Sequence, residues 1–178
     1  MKTGLVLEGG AMRGLFTAGI IDVLMENNIK FNGAIGVSAG AAFGCNYKSG
    51  QIGRVIRYSK RFAKDWRYAS WRSLITTGDY FGAEYAYHFI PNKLDVVDFE
   101  AFRNNPMEFW AVATNVGSGE AVHRQLKTLD HEELEFVRAS ASMPLASKIV
   151  KLNGQRLLDG GVADSIPLAF FQKQGYER

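Results

Sequence analysis

Short apolar runs alternate with helical patterns in the first fifty residues of the chain. Residues 4–7 and 34–37 are apolar and short, as buried strands are. Residues 15–26 repeat apolar side chains at helical spacing, and residues 39–46 form a helix of small residues. Strand, helix, strand, helix in this order predicts parallel βαβ units.

The second half of the chain shows strand patterns followed by clear turn and cap signals. Residues 109–115 predict a strand, and 121–126 can pair with it. Asp130 with Glu133 forms a capping-box pattern for a helix that we expect to run to about residue 142. Residues 148–152 and 155–158 flank Asn153-Gly154, a strong hairpin signal, and a final helix is expected over 165–174. Together these elements predict an α/β fold with a mostly parallel central sheet and helices on both faces.

The middle of the chain is less regular. Residues 54–68 have a helical pattern with Val55, Phe62 and Trp66 on its apolar side. Residues 75–106 are aromatic and rich in turn formers, and no element is assigned there.

Composition supports a globular protein and excludes several classes. The chain has 178 residues, of which 47% are hydrophobic and 22% charged, so it is neither disordered, collagenous nor a coiled coil. A single cysteine, Cys45, excludes a disulfide framework and a cysteine-based zinc cluster. No run of 18 apolar residues is present, and residues 1–8 lack a signal-peptide pattern. We therefore expect a cytoplasmic protein.

Positive charge is concentrated in one segment. Residues 54–72 contain seven basic residues and one acid, so the rest of the chain has a net charge of −3 within the total of +3. This basic, tryptophan-containing segment could contact an anionic membrane surface, which would make the protein peripheral to the membrane. The alternative is a solvated helix face with its aromatic residues in the core. Nucleic acid is not expected as a partner, because no recognition motif accompanies the charge.

Residues 36–40, Gly-Val-Ser-Ala-Gly, match the pattern G-x-S-x-G. This pattern places a serine on a sharp turn between a strand and a helix, where its hydroxyl is exposed and the helix N-terminus favours developing negative charge. The predicted strand before Ser38 and helix after it provide that context. Ser38 is a candidate nucleophile, and the alternative is a tight packing turn with an idle serine.

A glycine-rich turn at residues 9–14 also follows a strand and opens a helix. Such a turn directs successive backbone N–H groups into one concavity, which suits an oxyanion or a phosphate. The spacing of Gly9, Gly10 and Gly14 fits neither G-x-x-x-x-G-K-[ST] nor G-x-G-x-x-G. A nucleotide site is therefore disfavoured.

A nucleophilic serine also needs a base, and the residues leave its identity open. Histidine is the usual base, but none of His88, His123 and His131 has a turn motif around it. Asp159 ends an apolar run and precedes two glycines, which allow close approach of another backbone. Taken alone, this Asp-Gly-Gly sequence also fits a surface turn.

Three motifs together resemble a known family. Residues 8–14 (Glu-Gly-Gly-Ala-Met-Arg-Gly), 36–40 and 159–161 (Asp-Gly-Gly) occur in the order and rough spacing of the patatin-like phospholipases. Residues 139–144 resemble a segment common before that family's Asp-Gly motif. The resemblance spans residues 4–170, with a weak match in the middle, and implies a three-layer patatin-like fold.

The resemblance implies a Ser–Asp dyad, with Ser38 as nucleophile and Asp159 as base and no histidine required. The other residues that it implies are Gly9, Gly10, Ala11 and Arg13 for the oxyanion hole, and Met12 and Ala39 for substrate binding. The family usually has a third glycine at the position of Ala11. Since alanine resists positive φ, we expect the loop to adopt a torsion that alanine tolerates.

The function implied by the resemblance is lipid acyl hydrolysis of the phospholipase A or esterase type, through an acyl-enzyme. The substrate would be a lipid or another acyl ester, and neither a metal nor an organic cofactor is implied. An acyltransferase on the same dyad and a non-catalytic lipid-binding protein are the alternatives.

The resemblance also implies one catalytic domain, residues 1–178, cut short at its C-terminal end, because the family's domain usually continues. A helix over 165–174 would then lack the parallel strand that normally follows it. We expect an unpaired sheet edge or an exposed apolar patch near residues 165–178, with self-association through it.

Overall fold

The computed structural model describes residues 1–177, in which helices pack on both faces of a six-stranded sheet. The strands are β1 (Gly4–Leu7), β2 (Gly33–Val37), β3 (Glu108–Asn115), β4 (Ala121–Leu126), β5 (Val150–Leu152) and β6 (Gln155–Asp159). The α-helices are α1 (Leu15–Glu26), α2 (Ala39–Lys48), α3 (Arg54–Phe62), α4 (Trp71–Thr77), α5 (Phe99–Asn104), α6 (His131–Ser140) and α7 (Leu168–Lys173). Short 3₁₀ turns cover Ala11–Gly14 and Gly160–Val162, and a π-helix covers Tyr85–Leu94.

The sheet is mixed, with the strand order β1-β2-β3-β6-β5 and β4 paired to β3. The pairs β1–β2 and β2–β3 are parallel, whereas β4, β5 and β6 pair antiparallel. The three-layer α/β fold is confirmed, and its parallel character resides in the first three strands. Strand β4 is antiparallel to β3, and β6 to β5, because short turns, which cannot join parallel neighbours, connect each of these two pairs.

A hydrophobic core lies on each face of the sheet. On one face, α1, α2 and α6 bury the larger cluster, which includes Phe109 and Phe136. On the other face, Phe171 of α7 and Tyr176 pack against Ile35 and neighbouring residues of the central strands. Helices therefore cover both faces of the sheet, as expected, and each face has its own core.

Helix α3 ends at Phe62, six residues earlier than the sequence pattern suggests. The Asp65 carboxylate accepts the backbone N–H of Arg67 at 2.9 Å, a local turn that competes with helical hydrogen bonding. Trp66 therefore lies outside the helix and is 40% exposed. Its expected place on the buried apolar side of that helix is wrong.

The C-terminal segment pairs only briefly with the sheet. Tyr176 forms an isolated parallel bridge with Lys2, next to β1. Val162, Ile166 and Leu168 are exposed, so apolar surface is present in and just before the expected region. Self-association through this surface stays a prediction.

None of the helices within residues 1–177 combines the length and the apolar composition that crossing a membrane requires.

Candidate active site

Strands β2 and β6 meet end to end along one edge of β3. Val37, the last residue of β2, lies opposite Val112, and Asp159, the last residue of β6, lies opposite Ala113. Strand β4 occupies the other edge of β3. The two strands run toward each other, and their last residues lie opposite neighbouring residues of β3. Ser38, which follows β2, and Asp159, which ends β6, are thereby brought together.

Ser38 sits on a strained turn between β2 and α2. Its φ of 55° and ψ of −122° are unusual for a residue with a side chain, and such backbone strain concentrates at functional sites. The turn depends on glycine at both ends. A Cβ on Gly36 would lie 2.4 Å from the Gly40 carbonyl carbon, and a Cβ on Gly40 would lie 2.2 Å from the Leu7 carbonyl oxygen.

A serine-rich segment at the C-terminal end of α6 contacts both ends of the site. The backbone N–H of Ser38 donates to Ser140 Oγ at 3.0 Å, and the backbone N–H of Asp159 donates to the Ser142 carbonyl oxygen at 2.8 Å. Ser140 is fully buried. The sequence singled out residues 139–144 without assigning them a task, and the structure shows that Ser140 and Ser142 hydrogen-bond to the backbone of Ser38 and of Asp159.

The Asp159 side chain is buried beside Ser38. Its Oδ1 accepts the Gly161 N–H at 2.8 Å, and Thr114 Oγ1 donates to its backbone carbonyl at 2.7 Å. Burial raises the pKa of the Asp159 carboxyl above its ordinary value, and the nearby Ser38 hydroxyl and the Gly161 N–H partly offset that rise. A carboxyl with a raised pKa next to a serine hydroxyl is a candidate proton acceptor.

The loop of residues 9–14 lies directly against Ser38. A Cβ placed on Gly9 would be 2.7 Å from Ser38 Cβ and 3.4 Å from Ser38 Oγ. Gly10 has a φ of 148° and Ala11 a φ of 48°. Ala11 thus has a positive φ, which residues with a Cβ seldom adopt, so the expectation that the loop would take a torsion suited to alanine is not met. The Arg13 side chain is exposed beside this loop.

Ser38 lines an apolar cavity of about 100 Å³. Met12 and Ala39, the expected substrate contacts, line it as well, and so do Cys45 and Arg54. Burial raises the pKa of the Cys45 thiol to about 12, so this thiol stays protonated and apolar in character. An apolar cavity that has a serine in its lining fits an acyl chain.

Residues from the middle of the chain also line this cavity, and the sequence did not assign them to the site. They are Tyr58 and Tyr68 of the basic segment, and Phe81, Ala86, Tyr87, Ile90, Pro91 and Val97 of the segment without assigned elements. Burial is the main cause that raises the pKa of Tyr87, with the nearby Asp159 carboxylate adding to it. The aromatic composition of residues 75–106 was the available signal, but the sequence alone cannot tell which rings face the cavity.

The three histidines are engaged elsewhere. His88 Nε2 lies 2.5 Å from a Glu135 carboxylate oxygen, and its ring lies 4.7 Å from that of His131. His123 Nε2 lies 3.1 Å from an Asp164 carboxylate oxygen. Among residues 1–177, no histidine forms a hydrogen bond with Ser38 or Asp159, so the structure brings a carboxylate rather than an imidazole to the serine.

The fold and the site define an α/β protein with an elbow-type serine, a buried aspartate and an apolar cavity. A family model described as "Patatin-like phospholipase" matches residues 5–171. The chain belongs to the patatin-like phospholipase family, as the three motifs indicated.

Several named proteins are similar to this chain. "Lysophospholipase NTE1" of Meyerozyma guilliermondii is 27% identical over 97% of this chain and 12% of its own length. YjjU of Escherichia coli is 29% identical over 98% of this chain and 49% of its own length. The chain thus spans half or less of the length of these relatives.

One solved structure, VipD from Legionella pneumophila, has a similar fold. It superposes with a TM-score of 0.51 at 16% identity, and the superposition covers 93% of this chain and 47% of the VipD chain. At that identity the likeness concerns the fold alone.

Proposed function

We propose that this chain carries the catalytic unit of a lipid acyl hydrolase, in which Ser38 and Asp159 act as a dyad. The observation that carries the proposal is the strained Ser38 turn, which places the hydroxyl beside a buried carboxylate at the end of an apolar cavity. Membership of a phospholipase family and similarity to proteins named lysophospholipase support a lipid ester as substrate.

The first half of the reaction forms an acyl-enzyme. Asp159 accepts the Ser38 proton while Ser38 Oγ bonds to the ester carbonyl carbon. The resulting oxyanion accepts hydrogen bonds from backbone N–H groups of Gly9–Ala11, each contributing about 3 kcal/mol in comparable sites. Arg13 adds positive charge nearby. The carbon–oxygen bond to the alcohol then breaks, and the departing alkoxide takes the proton from Asp159.

The second half releases the acid. Asp159 accepts a proton from water as the water oxygen attacks the Ser38 ester, and the carbon–Oγ bond breaks. Ser38 Oγ recovers its proton from Asp159, and the fatty acid leaves. Each proton that Asp159 accepts is returned within the same half-reaction, so the dyad is regenerated.

The small volume of the cavity at Ser38, about 100 Å³, favours a lipid with one acyl chain at the site. From Ser38 to Cys45 the cavity follows α2 for seven residues, about 10 Å at the helical rise of 1.5 Å per residue. An extended chain of roughly eight carbon–carbon bonds spans that length. Lysophospholipids and medium-chain esters are therefore the first substrates to test.

The decisive assay compares wild type, Ser38→Ala and the control Ser118→Ala on a panel of lysophospholipids, phospholipids and short esters. Ser118 lies in an exposed turn after β3. We expect free fatty acid from wild type and Ser118→Ala, and none from Ser38→Ala. Full activity in Ser38→Ala would overturn the proposal. A parallel reaction with a long-chain alcohol distinguishes hydrolysis from acyl transfer, since transfer yields a new ester in place of free acid.

A further inference from the structure

Large apolar side chains stand exposed on α4 and on the turn after α6. Trp71 is 72% exposed, Ile75, one helical turn further along, is 83% exposed, and Leu145 is completely exposed. Trp66, just before α4, is 40% exposed. Exposed apolar side chains of this size, when grouped, indicate a binding surface.

Two contacts link the segments that carry these residues. The Trp71 ring packs edge-on against Tyr80, with ring centroids 5.7 Å apart. The backbone N–H of Tyr80 donates to the Ala146 carbonyl oxygen at 2.8 Å, which ties the end of the α4 region to the turn that carries Leu145. We call the exposed residues Trp66, Trp71, Ile75 and Leu145, with the cations Arg72 and Lys148, the docking face.

The charge on the docking face is entirely positive. Neither residues 66–78 nor residues 140–149 contain an aspartate or a glutamate. The Arg72 guanidinium lies 4.4 Å from the Trp66 ring centroid, and the Lys148 side chain runs over Gly78 at the end of α4. The neighbouring Asp79 is buried, and its Oδ1 accepts the backbone N–H of Lys148.

Three of the six other bases of residues 54–72 form ion pairs within the protein. Arg54 and Arg57 pair with Asp95, and Arg67 pairs with Asp65. Helix α3 therefore presents less free charge than the sequence suggests. Cations outside these ion pairs occur together with exposed apolar side chains at the docking face.

The docking face adjoins the cavity that begins at Ser38. Phe81 lines the cavity, and the Trp71 ring packs against Tyr80, the residue before Phe81. Met143 also lines the cavity, and Leu145 follows it two residues later. The segments 80–81 and 143–145 thus each contribute one residue to the cavity and another to the apolar and cationic docking face or to a contact with it.

We propose that the docking face binds an anionic lipid bilayer and brings the cavity to the membrane surface. Aromatic and aliphatic side chains would enter the headgroup region, and Arg72 and Lys148 would meet lipid phosphates. This inference deepens the proposed function, because it supplies the route by which a lipid substrate reaches Ser38.

Vesicle binding is measured on Ser38→Ala protein, so that hydrolysis does not alter the lipid. The probes are vesicles of phosphatidylcholine alone and of phosphatidylcholine mixed with phosphatidylglycerol, assayed by co-sedimentation at several salt concentrations. Ile75→Ser and Leu145→Ser are compared with Ile29→Ser. Ile29 is 46% exposed and lies just before β2, at the end of the parallel strands opposite Ser38.

We expect binding to the anionic vesicles that weakens with salt, and about a tenfold loss of affinity in Ile75→Ser and in Leu145→Ser. Ile29→Ser should bind as the parent does. Arg72→Gln should lower affinity about fivefold, and only for anionic vesicles. In a wild-type background, all four variants should hydrolyse a water-soluble ester at the parent rate, because none of these side chains lines the cavity.

Absence of binding to anionic vesicles, or equal losses in Ile75→Ser and Ile29→Ser, would overturn the proposal. Binding to neutral vesicles as tight as to anionic ones would also overturn it. A dimer in solution that Ile75→Ser dissociates would assign the face to a second copy of the chain instead. Failure of wild type on the soluble ester would refute the proposed hydrolysis but leave the vesicle result interpretable.

Discussion

Val37 and Asp159 end two strands that run toward each other along the same edge of β3, opposite the neighbouring residues Val112 and Ala113. The Ser38 hydroxyl, one residue after Val37, and the Asp159 carboxyl are therefore brought together without a long loop to position either group. Elements of the sheet hold both groups, and rigid elements position catalytic groups more accurately than loops do.

Gly9→Ala tests whether the loop must approach Ser38 closely. The new Cβ would lie 2.7 Å from Ser38 Cβ, so either the loop or the serine turn must shift. We expect kcat/KM for ester hydrolysis to fall on the order of 100-fold, as for other small displacements at a reacting centre.

The matched control for this substitution is Gly19→Ala. Gly19 lies on α1 and has no atom within 4 Å of its ideal Cβ position. This variant should keep full activity and gain about 0.5–1 kcal/mol in the free energy of unfolding. Equal activity in Gly9→Ala and Gly19→Ala would contradict the assigned role of the loop.

The pKa of Asp159 predicts the acidic limb of the pH–rate profile. The base works as a carboxylate, so kcat/KM falls as pH drops through its pKa. Because burial raises that pKa, the fall should begin at a higher pH than for an exposed aspartate. The measurement uses an uncharged, water-soluble ester, whose kcat/KM reports the free enzyme.

Asp159→Asn should lose activity about 1000-fold or more and yet be more stable than wild type at neutral pH. In the folded protein, Asp159 keeps its proton to a higher pH than in the unfolded chain. Between the two pKa values, the free energy of unfolding of wild type therefore falls as pH rises. The stability advantage of Asn should shrink as pH drops through that range, and an advantage that grows toward acid would refute the pKa assignment.

Histidine substitutions distinguish a dyad from a triad. His88→Gln, His123→Gln and His131→Gln should each keep kcat within about tenfold, since these rings interact with carboxylates or with each other rather than with Ser38. Thermal melts run alongside identify variants that lose activity by unfolding. A folded histidine variant with a loss of 1000-fold would instead identify the base.

Cys45→Phe tests the cavity as the acyl-chain site. Cys45 lines the cavity seven residues beyond Ser38, and a phenyl ring there would shorten the available path. We expect loss of activity on long-chain esters with retention on butyrate esters. Cys45→Ala, which leaves the path open, should retain both activities. Equal loss on butyrate and long-chain esters in a folded Cys45→Phe protein would contradict this use of the cavity.

The sequence could predict the parts of this site that depend on local backbone constraints. The tight turns at residues 9–14, 36–40 and 159–161 need glycine, and glycine is visible in the sequence. The Asn153-Gly154 hairpin and the Asp130 cap were predictable for the same reason, and Asp130 Oδ1 does accept the Glu133 N–H at 2.9 Å. Each of these features is decided by residues close together in the chain.

The remaining features depend on tertiary packing, which leaves no local pattern. The π-helix Tyr85–Leu94 contains Pro91 and has no 3.6-residue repeat to detect. Helices α4 and α5 are too short for periodicity, although Asp98 caps α5 by accepting the Ala101 N–H at 2.8 Å. The hairpin fixes the direction of β6 relative to β5 but not relative to β3, so the mixed sheet could not be predicted.

The most direct test of the central claim is the site of covalent labelling by a fluorophosphonate ester that carries an acyl-like chain. Intact-mass measurement and peptide mapping locate the adduct. We expect one adduct per chain on the peptide that contains Ser38, formed by wild type and Ser118→Ala and absent in Ser38→Ala. An adduct on another residue, or hydrolysis that survives in unlabelled Ser38→Ala, would contradict it.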